Sequence, residues 1–558
     1  MSRKFFGSLV VLFLLFAGLT VLAQDSEPAQ GGSVTIGLQA GSNVWTRNFS
    51  PFKAGEFDAR DLVYEPLIVW NPVDYSTPNY WLATDYSYSD DLMSITFTLR
   101  EGVMWSDGEA FNAEDVVFTA NMLLVNPQMD AVSFNIGTVA ESVEQVDEYT
   151  VVFHLKSLNT LAHTIISAMN SVPEHIWSSI ENPAEHIVET PVGTGPFTEL
   201  TNFQDQEFTL CRNPYYWQEG RPYLDCINFP ALNGNQAIAL ALLDGSVEWS
   251  GINFPDEASF INANPETNHY YYWTGGPTQY LVLNTMKAPF DDPQFRLALS
   301  MLIDYEFVVD VGMEGATQKS SPTGLSYTQS QNISDAAMAR AEEIGFNTYD
   351  MERGTALLDE LGYVDADGDG FRDYPDGSPL QLNLQAVNGF TAWVASTQIM
   401  AQAFQDAGLN ISQTTLDFGA AVTAMRTGEF DLAMWFATSG VTPWTYYRDM
   451  MYSPLIDAEG VTSSAWPRWT SERSDELFEL YTQTTDPAEQ ATIIEEIQMI
   501  FVENAVAIPM WDGPMWYNWN DGNIAGWPTE ENYYASGAVT RTNTMQTRLI
   551  VLNELHQK

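Results

Sequence analysis

Apolar and polar positions alternate with a period of two in several short runs of this chain. Ile95, Phe97 and Leu99 alternate with polar neighbours, the pattern of a half-buried strand. The run Val151-Val152-Phe153-His154-Leu155 predicts another. So do Phe208-Thr209-Leu210, ending at Cys211, and Ile227-Asn228-Phe229, opening at Cys226. Between Leu99 and Phe118 the chain leaves a strand, turns at Ser106-Asp107-Gly108 and starts a helix. Asn112 is the expected N-cap there, with Glu114 and Asp115 in the first turn, where carboxylates favour the positive helix end. Further on, helices are expected over 294–307, over 351–361 (bounded by Gly362) and over 391–407, with a strand at 380–384. Strand and helix alternate, which argues for an α/β fold whose mixed sheet is covered on both faces.

The first residues read differently. Arg3 and Lys4 precede the unbroken apolar run Leu9 to Phe16, and Val21-Leu22-Ala23 supplies small residues. This predicts a secretory signal peptide over 1–23, cleaved before Gln24, and a polar linker over 24–32. The apolar run is short for a membrane span. Neither cysteine lies near the cleavage site, so the expected product is exported, periplasmic or extracellular, and not a lipoprotein. Cys211 and Cys226 lie on neighbouring predicted strands of an exported chain, which suggests a disulfide; two buried free thiols are the other reading.

A length of 558 residues, 45% hydrophobic and 17% charged, is globular and long enough for two or three domains. The 73 acidic against 22 basic side chains give a net charge of −51. A polyanion of that size is repelled by nucleic acid, which excludes phosphate-backbone binding.

Little in the chain points to catalysis. The histidines at 154, 163, 175, 186, 269 and 556 show no metal-ligand spacing, and no nucleophile elbow, phosphate loop or zinc motif occurs. A glycosidase-type carboxylate pair has no positive support among so many acids. One acidic run is specific. Asp365, Asp367 and Asp369 with Gly370, then Asp373 and Asp376, follow a calcium-loop pattern, although an Asp stands where a bidentate Glu is usual. A plain turn accounts for the same residues, so a structural calcium is the only cofactor expectation.

Several landmarks occur together and in order. They are Val63-Tyr64-Glu65-Pro66-Leu67, Trp81-Leu82-Ala83, the Leu99–Phe118 stretch, Val172-Pro173-Glu174-His175-Ile176-Trp177 and Gly193-Thr194-Gly195-Pro196-Phe197. Arg212-Asn213-Pro214-Tyr215-Tyr216-Trp217, Leu243-Asp244-Gly245 and Pro289-Phe290-Asp291-Asp292 with Arg296, Ala298 and Asp304 follow. In this the chain resembles family 5 of the extracellular solute-binding proteins, which serve ABC importers of peptides, nickel or oligosaccharides. The resemblance implies a two-lobed periplasmic-binding-protein fold of the large type II class with an inserted third subdomain. It places lobe I at 33–70 and 191–289, the insert at 71–190, lobe II at 290–510 and a return to lobe I over 511–558. It further implies a monomeric binding protein and not an enzyme. Such a protein captures solute between its lobes, closes by hinge rotation and docks on permease subunits.

Aromatic residues on loops near the expected cleft give candidate ligand contacts. These are Trp45 with Asn43, Trp273, Asn388 with Trp393, and Trp435 and Trp444 flanking Ser439. Indole stacks on the apolar faces of pyranose rings, while amides and hydroxyls meet sugar hydroxyls; core packing is the competing role for each tryptophan. The loop from Phe436 to Tyr447 carries no acid before Asp449, whereas peptide-binding relatives place an Asp there for the ligand's ammonium. A buried ammonium without a carboxylate is costly. The sequence therefore favours a cellobiose-like oligosaccharide, with an oligopeptide as the alternative and a secreted glycoside hydrolase as a remote one.

Overall fold

The computed structural model describes residues 28–38, 44–53, 59–71, 73–131, 133–254, 256–273, 276–437, 440, 442–462, 464–539 and 547–558, with side chains at 75, 76, 131, 272, 273 and 327 excepted. The expected signal peptide lies outside the described residues, and so do Asn43 and Ser439.

Two large sheets carry the fold. The first has seven strands, in the order Asn268–Trp273, Met515–Asn520, Trp249–Ser250, Ser33–Gly37, Cys226–Pro230, Glu207–Arg212 and Phe197–Gln204. The second has five, in the order Asn410–Leu416, Gln381–Val387, Leu432–Phe436, Gln279–Leu283 and Ile508–Trp511. The chain passes between them twice, once after the strand ending at Trp273 and once after the strand ending at Trp511. The strand Gln279–Leu283 lies in the second sheet, although its sequence position suggested the end of lobe I. All five of its residues are buried, as a central strand covered on both faces requires. Lobe II therefore opens at 279, and Trp511 still belongs to it.

A four-stranded antiparallel sheet, in the order Ala83–Tyr88, Ser94–Leu99, Thr150–Leu155 and Ala140–Asp147, forms the insert. Ile95 pairs with Phe153 and Phe97 with Val151, so the alternating apolar residues of both strands share one buried face. That face joins the core of the first lobe in one continuous cluster, from Val34 through Phe97 to Leu555. The insert is thus an extension of lobe I and not an independent core. The second lobe has its own cluster.

Local chemistry sets the element ends. The helix Ala113–Val125 starts at Asn112, whose Oδ1 accepts the Glu114 amide at 2.7 Å, while Asp115 Oδ2 accepts the Asn112 amide at 3.1 Å. The single helix expected over 294–307 is two: Pro293–Met301, capped by Asp292, and a short turn, Tyr305–Phe307, capped by Asp304. A carboxylate that captures an amide three residues on restarts a helix more readily than it continues one. Cys211 and Cys226 stand directly opposite on paired strands and form a disulfide, with Cα atoms 3.9 Å apart. No helix among the described residues is long and apolar enough to cross a membrane.

Candidate functional site

Strand direction places the site. In the second sheet, the parallel strands end at Val387, Leu416 and Phe436, and Gln279 begins and Trp511 ends an antiparallel strand at the same edge. In the first sheet, strands end at Gly37, Pro230, Ser250 and Trp273, and Met515 begins one, again at a single edge. Both crossings leave from these edges, which therefore face each other across the hinge. Crevices at the carboxyl ends of strands are where open α/β sheets bind ligands.

The edge of lobe II is aromatic, with the exposed carboxylate of Asp417 between the strand end at Leu416 and Phe418. Trp435 stacks on Phe436 (centroids 5.3 Å apart, planes 9° apart) and meets Phe418, Trp393 and the edge of Trp466. Its buried Nε1 donates to nothing in the described protein, and neither does that of Trp511. Gln279 is directly paired with both Phe436 and Trp511. Its Nε2 donates to Pro277 O at 3.0 Å, while its buried Oε1 accepts nothing.

Three nearby carboxylates have partners in the protein, Asp417 among them as the acceptor of the Ala420 amide at 3.1 Å. Asp512, at the second crossing, accepts from Ser320 Oγ at 2.9 Å and Gln318 Nε2 at 3.2 Å. Asp449 lies 3.6 Å from the Arg448 guanidinium, whose pKa burial lowers.

Of the residues suggested by the sequence, Asn388 follows the strand end at Val387, and Trp393 and Trp435 pack on each other with ring centroids 6.2 Å apart. Trp273 ends its strand at the opposite edge. Two other candidates are packing residues. Trp45 donates Nε1 to Phe229 O at 2.9 Å and sets its ring against Phe208 in the lobe I core. Trp444 donates Nε1 to Phe478 O at 3.0 Å, packs on Phe478 and is 6% exposed. Each ring is covered by protein, as that of Trp435 is (3% exposed), but here the N–H already has an acceptor. Gln279 and Trp511 were not singled out from sequence. The only local signal was a polar residue opening the apolar run Tyr280–Leu283.

Residues 77–458 match the bacterial extracellular solute-binding proteins, family 5, middle region. The chain belongs to this family. The glutathione-binding protein GsiB of Escherichia coli (strain K12) is 26% identical over 456 residues, covering 77% of this chain and 79% of GsiB. A mannohexaose-bound periplasmic oligopeptide-binding protein from Thermotoga maritima superposes with a TM-score of 0.84 at 23% identity, covering 94% of this chain and 98% of that one. The oligopeptide-binding protein AppA from Bacillus subtilis, in complex with a nonapeptide, gives 0.78 at 19% identity, with 95% and 100% covered.

Several of the family landmarks meet where the insert joins lobe I, while Phe290 and Ala298 belong to the core of lobe II. Glu65 is buried and accepts from Trp81 Nε1, Tyr216 Oη (3.0 Å) and Trp217 Nε1 (3.0 Å), uniting three landmarks. Burial raises its pKa to about 7 against the opposing pull of these donors. The Arg100 guanidinium covers Trp217 at 4.2 Å. Trp105 Nε1 and the Glu174 amide both donate to Asp115, tying the Leu99–Phe118 stretch to the Pro173 landmark. Gly195 N donates to Val63 O at 2.9 Å, an approach that excludes a side chain: a Cβ at Gly193 or Gly195 would overlap a carbonyl of 62–63.

In the acidic turn, ligand atoms of Asp365, Asp367 and Asp373 lie within 4.8 Å of one another. Asp369 accepts the Phe371 amide instead, and Asp376 accepts the amide and hydroxyl of Ser378. Three carboxylates therefore converge where the calcium-loop pattern offered five.

Proposed function

We propose that this protein is the solute-capturing subunit of an ABC importer, that it works outside the cytoplasmic membrane as a monomer without turning its solute over, and that the solute is a neutral oligosaccharide. The observation carrying the sugar reading is the lobe II edge. Two indole donors and one amide acceptor are unengaged among aromatic rings packed on one another, while Asp449 and Asp512 already have partners. Neutral donors and acceptors suit hydroxyl groups; a zwitterionic peptide would bring charges that these groups do not balance. The Thermotoga protein bound to mannohexaose is in keeping with this.

A peptide is the second reading, supported by the glutathione-binding relatives and the nonapeptide complex. Titration calorimetry against cello- and manno-oligosaccharides, glutathione and short peptides separates the two. Stoichiometric sugar binding with no product formed is the expected result. Binding of a peptide alone overturns the sugar assignment, and release of cleaved sugar overturns the binding-protein reading.

A further inference from the structure

Away from the hinge, the lobes touch through the protein's own groups. The helix Gly234–Asp244 of lobe I begins against the turn that starts the helix Thr391–Asp406 of lobe II. Asn235 donates its amide to Gly389 O at 3.4 Å and its Nδ2 to Thr391 Oγ1 at 3.1 Å. Gly234 and Gly389, with φ of +79° and +89°, face each other so closely that a Cβ on Gly389 would stand 3.1 Å from Gly234 Cα. Asn235 is 5% exposed, and lobe II contributes to that cover.

A second contact comes from the insert. Thr160 donates its amide to Thr482 O at 2.9 Å at the end of the helix Glu472–Gln483, and Leu161 packs on the lobe II core. The turn carrying Thr160 is itself held: Tyr88 Oη donates to Asn159 O at 3.1 Å, and His163 Nδ1 lies 3.1 Å from Thr160 O.

We propose that these two contacts form a clasp that stabilises the closed conformation without help from the solute. Residues 235, 391 and 161 then set how long a solute is held, and the insert serves as the second jaw. This rests on the solute-binding reading, because closure has a consequence only if something is enclosed. Opening exchanges each interlobe hydrogen bond for bonds to water, a small net change, so the clasp biases the equilibrium and does not lock it. Removing one such bond lowers the closed-to-open ratio by about five-fold.

The test uses the full mature protein, stripped of solute by unfolding and refolding, as wild type, Asn235→Ala, Thr391→Val, the double variant and Leu161→Ser. Solution X-ray scattering without solute is expected to show a larger radius of gyration for each single variant than for wild type. The Asn235→Ala/Thr391→Val pair should go little further than either alone, since both remove the same bond. Unchanged scattering in all variants, or a wild type already fully open, overturns the clasp. Thr391→Val keeps the side-chain shape and carries the test if another variant does not fold. In a second arm, mannohexaose should leave the variants about five-fold faster than wild type. If mannohexaose binds to none of them, the sugar assignment fails, while scattering still decides the clasp.

Discussion

At the junction of lobe I with the insert, the carboxylates and indoles of the family landmarks have partners within the protein, although the buried Tyr64 hydroxyl does not; at the lobe II edge of the cleft, two indoles and an amide oxygen lack them. Glu65 gathers three donors from two distant segments, and Asp115 caps a helix while accepting an indole and another backbone amide. Trp435, Trp511 and Gln279 are equally buried, yet each leaves a polar atom unengaged. Buried polar groups without partners are destabilising, and a fold tolerates them where a ligand supplies the missing bond. The first region is built for folding, and on the proposed function the second is where a solute would be met.

The comparison breaks most visibly at the junction glycines. Gly193→Ala or Gly195→Ala drives a methyl group into a carbonyl of 62–63, where backbone cannot yield cheaply. Overpacking of this kind costs about 3 kcal/mol or more. Loss of soluble protein, or a chemical-denaturation midpoint far below wild type, is expected. Near-normal stability in either variant would mean that the junction is looser than its contacts indicate.

The cleft should respond in the opposite way. Trp435→Phe keeps the stacked ring and removes one N–H, and Gln279→Met removes the amide oxygen. Each should weaken oligosaccharide binding by about ten-fold, the usual effect of leaving one ligand hydroxyl unpaired, while stability changes by less than about 1 kcal/mol. Calorimetry beside thermal unfolding checks both halves. A large stability loss without an affinity change would make Trp435 a core residue like Trp444.

These regions were not equally legible in the sequence. Caps and landmarks are local chemistry: Asn112 and Asp115 are three residues apart, and their roles follow from that spacing. The cleft was legible only in part. Asn388, Trp393 and Trp435 were suggested because aromatic and amide residues at strand ends suit a site, and they do lie at that edge. Trp45 and Trp444 carried the same signal and proved to be packing residues, because indole is a large hydrophobe before it is a ligand contact. Gln279 and Trp511 could not be found that way. Their meaning depends on strand pairing among residues 279, 436 and 511, which are remote in sequence. The Asn235–Thr391 contact likewise exists only once two lobes face each other.

Titration sharpens the junction side. Burial raises the Glu65 pKa from 4.5 to about 7, so the folded protein binds that proton more tightly than the unfolded chain does. Its contribution is fully present below the unfolded value and is lost as pH rises from about 4.5 through about 7. Asp130, raised to about 6 by burial, acts in the same direction, whereas His163, lowered to about 4, opposes both as pH falls below its ordinary 6.5. Comparing wild type with Glu65→Gln isolates the first term. The stability gap between them should change between pH 5 and 8, with wild type losing ground as pH rises. A gap independent of pH would show that Trp81, Tyr216 and Trp217 keep Glu65 ionised throughout.

The smallest effect is expected at the acidic turn, which belongs to neither region. It leads into the strand Gln381–Val387 at the end remote from the cleft, so an ion there could stiffen lobe II without touching solute. Calcium takes six to eight oxygens. Asp365, Asp367 and Asp373 converge, but Asp369 and Asp376 are turned to the amides of Phe371 and Ser378, and Asp365 itself accepts the amides of Gly368 and Gly370. With those bonds formed, the turn is stable as it stands. Chelation, or addition of millimolar calcium, should therefore move the melting temperature by less than about 2 °C and leave solute affinity unchanged. A rise of several degrees with calcium, abolished by Asp365→Asn, would establish a structural ion. An accompanying gain in solute affinity would show that the far end of the strand communicates with the cleft.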